Sequence, residues 1–109
     1  MSQFMLSVHH VPGSEPYASE EEMQAAFAAV AAFNQQLADD GRLVFVGALH
    51  SETDIVTAKG VDEPPVREGA QLGGFWVVEV DGRADARKLA EQASAACRQP
   101  IEVREFESS

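Results

Sequence analysis

An unperturbed imidazole changes charge near neutral pH, so histidine is the first residue to consider for proton transfer. The sequence has His9, His10 and His50. His9 is the strongest general acid/base candidate, and the carboxylates available to orient it are Asp40, Asp62 and Glu79, with the sequence fixing none of them. The expected catalytic set is His9, His50 and Asp62. His10 points opposite to His9 along an extended segment and is expected to be solvated or packed on a loop. Two adjacent histidines on a strand are badly placed to chelate one ion, and the sequence has no HxH or HxxxH spacing, so neither a metal nor a cofactor is expected. Cys97 is the sole cysteine. It has no CxxC partner and can form no internal disulfide, and it reads as a small buried apolar side chain rather than a nucleophile.

The elements that position these groups are organised around Gln71–Val80, the strongest strand signal in the chain. This run contains the lone tryptophan, Trp76, and the Gly73-Gly74 pair. The pair opens a strand rather than a helix and is not followed by Lys-Ser/Thr, so it is not a phosphate cradle. It is expected to serve a close backbone approach or a bulge. Ahead of it, Phe4 to His9 reads as a first strand bounded by the turn cluster Val11-Pro12-Gly13-Ser14. Ser19 caps a helix, with Glu22 three residues on completing a capping box. The helix runs to about Asp40, and its apolar face carries Met23, Phe27, Val30, Phe33 and Leu37. Gly41 stops it. Leu43–Leu49 is a second strand, and Ile55–Ala58 a short hairpin partner or edge strand. Lys59–Ala70 reads as a loop, because Pro64-Pro65 excludes a helix interior or a central strand. A second helix spans about Arg83 to Cys97, and Ile101–Phe106 is a last, alternating strand.

The order is β-α-β-(β)-β-α-β, the split βαβ, ferredoxin-like α+β arrangement, in which both helices cover one face of an antiparallel sheet. A length of 109 residues suits one domain. Leu43–Leu49 and Phe75–Val78 are apolar at consecutive positions, a pattern of strands covered on both sides, and the chain has no third helix to cover the second face. A second copy of the same sheet, in a two-fold homodimer, is the expected cover.

The formal charge of −10, from 18 acidic and 8 basic side chains, repels phosphate backbones and anionic lipid. Nucleic acid is therefore excluded as a partner. No segment approaches the roughly 18 apolar residues of a membrane span, and the first residues lack the basic region of a signal peptide. A cytoplasmic protein is expected.

Several stretches carry a family resemblance. The run Ala38-Asp39-Asp40-Gly41-Arg42-Leu43-Val44 with Gly47-Ala48-Leu49, then Leu72-Gly73-Gly74-Phe75-Trp76 and Pro100-Ile101-Glu102-Val103-Arg104, resembles the YCII-related family, and within it the branch named for a DGPF motif. The resemblance spans nearly the whole chain and implies a dimeric α+β barrel, two ferredoxin-like sheets packed face to face. At the motif itself the chain reads Asp62-Glu63-Pro64-Pro65, which keeps the aspartate and the first proline but replaces the glycine and the phenylalanine. A few relatives are lyases or cyclases on aromatic or polyketide-like compounds, for which a His-Asp pair has been proposed. The histidine that the resemblance places early in the first helix has no counterpart in Met23-Gln24-Ala25-Ala26-Phe27.

Strand alternation then assigns faces. Phe4, Leu6 and Val8, Trp76, Val78 and Val80, and Ile101 and Val103 turn toward the helices. Met5, Ser7 and His9, Phe75, Val77 and Glu79, and Glu102 and Arg104 turn toward the open face, with His9 near Gly73 and Phe75. The expected ligand contacts are Met5, Ser7, Phe75, Val77 and Glu79, with Tyr17 at the pocket mouth. The leading expectation is a small protein that binds a small, aromatic molecule between two sheets or at the helix–sheet mouth. The alternatives are a cofactor-independent lyase or cyclase using a histidine, and an acidic protein-interaction or regulatory module.

Overall fold

Phe4, Leu6 and Val8 on one side and Met5 and Ser7 on the other make Ser2–His10 a strand, β1. The computed structural model describes residues 1–11, 13–65 and 69–107; Pro12 of the expected turn and residues 66–68 of the expected loop lie outside them. After β1 come α1 (Glu20–Asp39), β2 (Leu43–Ala48), β3 (Ile55–Thr57), β4 (Gly60–Asp62), β5 (Gln71–Val80), α2 (Arg83–Cys97) and β6 (Ile101–Glu105). Four strands form an antiparallel sheet in the order β2-β5-β1-β6, the ferredoxin-like α+β topology expected from the sequence. No helix among the described residues is long and apolar enough to cross a membrane.

The helices share one face of the sheet. Phe4, Leu6, Trp76, Val78 and Val80 of the strands and Phe33, Leu37, Leu89 and Ala93 of the helices belong to one buried cluster, as the alternation required. Alanines at 86, 90, 93 and 96 let α2 lie close to the strands. Ser19 caps α1 by accepting the Glu22 amide through Oγ at 3.2 Å, and Glu22 Oε2 accepts the Ala18 amide at 3.1 Å. The return bond of the box therefore reaches one residue further back than the cap itself. Gly41 follows the helix with φ +72°, in the left-handed region where a glycine has no Cβ penalty.

Two bulges make the sheet irregular where the sequence looked regular. Leu43 pairs with Val78 and Phe45 with Val77, which leaves Val44 as an extra residue on β2. Val8 pairs with Gly74 and His9 with Leu72, which leaves Gly73 extra on β5. Gly74 serves the other expected purpose: a Cβ there would lie 3.0 Å from the Gly47 carbonyl oxygen. Each glycine of the pair thus has its own backbone task.

The loop expected over Lys59–Ala70 needs correction. Gly60–Asp62 forms a strand, β4, that pairs with β3 across the two-residue connection Ala58-Lys59. Glycine, proline and charge made this stretch look structureless; Gly60, which opens β4 opposite Thr57, has φ +128°, a conformation that glycine adopts without a Cβ penalty. The hairpin's strands contact only each other among the described elements. It contributes to a radius of gyration of 15.6 Å, against about 13 Å for a compact chain of this length.

Candidate ligand-binding site

The apolar stripe of α1 does not all reach the sheet. Ala26, Phe33 and Leu37 are buried, but Phe27 is 57% exposed. Beneath it the strands carry little side chain, since Gly74 of β5 pairs with Ala48 of β2 and with Val8 of β1. The result is a cavity of about 820 Å³ between α1 and the sheet, within the range of small-molecule sites. Val46 and Trp76 line its sheet side, and Phe27, Val30 and Asn34 form the helix wall. The Trp76 indole packs edge-on against Phe33 with centroids 5.5 Å apart and donates Nε1–H to Asn34 Oδ1 at 2.6 Å. That bond fixes the aromatic wall.

The mouth is shaped by the segment ahead of α1. The Tyr17 hydroxyl donates to the Cys97 carbonyl at 3.1 Å, and its ring meets Phe27 edge-on at 6.3 Å. Cys97 ends α2, where the last carbonyls lack helical partners, so the tyrosine satisfies one of them while bridging the opening. Cys97 also lines the cavity. Burial pushes its thiol pKa up, and hydrogen bonding with the Gln99 backbone partly offsets the rise. Thiolate is the reactive form, so the sign is toward an inert thiol at neutral pH. Iodoacetamide at pH 7 is expected to modify Cys97 more slowly than free cysteine, a gap that closes in urea. Equal rates in the folded protein would contradict this.

A second cavity of about 600 Å³ adjoins the first and shares His10, Leu49 and Gly73 with it. His50, Glu52, Thr53 and Gln71 give it a polar lining.

The expected site residues divide between different places. Met5 pairs with Val77 and Ser7 with Phe75, so these four stand together on the sheet face away from the helices. Phe75 stacks on Phe45 there, at 5.8 Å between centroids. Glu79 is opposite Gln3, which donates to it at 3.2 Å, whereas His9 is opposite Leu72. Six residues of β1 separate those positions, about 20 Å, too far for Glu79 to orient His9. Asp40 caps the C-terminus of α1 and accepts from Gln36 at 3.1 Å. Asp62 lies on the hairpin, apart from the main sheet. Tyr17 and Phe75 line the first cavity and His50 the second.

A family model of the YCII-related domain matches residues 2–107 of the 109. The chain belongs to the YCII-related domain family. No match is found among curated proteins. In this YCII-related domain the histidine that borders both cavities is His10, which the sequence reading set aside. The signal for it was available: positions 4, 6, 8 and 10 of one strand share a side, so the alternation that sent Phe4 and Leu6 to the helices sends His10 there too. Phe27 and Asn34 were missed for a different reason, since their role depends on the small residues across from them.

Proposed function

We propose that this YCII-related protein binds a small aromatic molecule in the cavity between α1 and the sheet, acting as a cytoplasmic homodimer. The observation that carries the reading is the cavity's lining, where Trp76, Phe27 and Tyr17 surround about 820 Å³. Aromatic walls over a glycine floor suit a flat apolar body, and apolar burial drives its entry. Naphthalene serves as the probe. It is expected to shift the lone indole N–H resonance of Trp76 saturably, and Ala48→Phe, which fills the floor, is expected to abolish the shift while leaving the far-UV circular dichroism intact. No saturable shift in the wild-type protein would overturn the proposal.

The homodimer is supported by the sheet face away from the helices. Phe45 is 56% exposed there beside Phe75, Met5 and Val77, and apolar groups in such a patch are usually covered. Sedimentation at micromolar concentration is expected to give a dimer, and Phe45→Glu a folded monomer. A monomeric wild-type protein removes this half of the proposal.

A further inference from the structure

The two cavities are neighbours that differ in polarity, the second being richer in polar side chains, and they meet at His10, Leu49 and Gly73. On one side of that junction the lining is aromatic and aliphatic. On the other it offers hydrogen-bond donors in the side chains of His10, His50, Ser51, Thr53 and Gln71, with Glu52 as the acid. Among the described residues no lysine or arginine lines either cavity, and the chain as a whole carries −10. A phosphate or carboxylate head would meet no cation there, beside Glu52 and in a repulsive field. A neutral oxygen acceptor meets the donors without that cost.

Resting on the reading of the first cavity as an aromatic site, we propose that the second cavity is the head-group subsite of the same ligand, and that this ligand is a neutral carbonyl compound on an aromatic body. The ring lies against Trp76, and the carbonyl oxygen passes the Gly73 bulge to accept hydrogen bonds from His10 and His50. Gly73 suits that passage: a Cβ there would sit 3.7 Å from the His10 Cβ and 3.7 Å from the Val8 carbonyl oxygen, in the same gap the head group crosses.

The test compares naphthalene, 2-acetylnaphthalene and 2-naphthoate on the full chain. The Trp76 indole resonance reports occupancy of the first cavity, and the ring resonances of His10 and His50 report the second. The ketone is expected to bind about tenfold more tightly than naphthalene, the gain from one or two net hydrogen bonds. It is also expected to bind more tightly than the carboxylate, and to be alone among the neutral probes in shifting both histidines. His50→Ala is expected to remove the ketone's advantage and leave naphthalene binding unchanged. Equal affinity for ketone and hydrocarbon, with silent histidines, overturns the subsite while the aromatic cavity stands. Tightest binding by 2-naphthoate overturns the neutral head and makes the subsite an anion site. If no probe moves the Trp76 resonance, the aromatic reading fails and the subsite fails with it.

Discussion

Trp76→Ala is expected to cost about 3–5 kcal/mol of folding stability, a large share of the roughly 5–15 kcal/mol that holds a domain together. The indole is 4% exposed and packs on Phe33, so truncation opens a void in the middle of the sheet where α1 rests on it. Trp76→Phe divides the effect. It keeps most of the ring and removes the bond to Asn34 Oδ1, a loss of about 1–2 kcal/mol because the half-buried amide loses its partner. Urea denaturation followed by circular dichroism measures both. If Trp76→Phe costs as much as Trp76→Ala, the hydrogen bond rather than the packing holds α1, and the account given above is wrong.

Gly74→Val is the second large effect. The new Cβ would stand 3.0 Å from the Gly47 carbonyl oxygen and 3.4 Å from the Ala48 Cα, and both are backbone atoms that cannot swing aside. Strand β2 is at the edge of the sheet and pairs with β5 alone, so relief comes from β2 moving outward. The expected cost is about 3 kcal/mol, the upper end for overpacking, with the largest amide shifts in Val46 to Leu49. Gly73→Ala is the control. Its Cβ would meet nothing nearer than 3.7 Å, so it is expected to change stability by less than about 1 kcal/mol. Comparable losses at both positions would refute the distinction between close approach and bulge.

These two positions show how far the sequence could be read. The period of α1, its Ser19 cap and the alternation in β1, β5 and β6 are local patterns; each predicted its element, and the alternation in β1 and β5 also predicted the buried face. The order of elements then gave the sheet. What the sequence concealed depends on pairs far apart in the chain. The run Leu43–Leu49 looks continuous because every residue is apolar, yet Val44 is a bulge whose existence is decided by the register against β5. Phe27 has the helical spacing of a core residue, and only the Gly74–Ala48 pair opposite leaves it without a surface to cover. The hairpin was hidden by composition, because three residues of strand are too few to show a period among glycines and charges. For the site, the sequence supplied Tyr17, Phe75 and His50, and strand alternation supplied the open-face group of Met5, Ser7, Phe75 and Val77. It offered the space between two sheets and the helix–sheet mouth alike and could not choose between them, because an unfilled volume is a property of three elements at once.

The strand order also governs when this protein can fold. β1 begins the sheet and occupies an interior place in it, between β5 and β6, yet β6 begins only at Ile101. A chain leaving the ribosome therefore carries its earliest strand with both neighbours unmade for most of synthesis, and Phe4 and Leu6 have no sheet to join. Pairing across nearly a hundred residues costs loop entropy before any contact repays it, and such non-local topologies fold slowly for their size. The first strand synthesised is among the last to be fully paired.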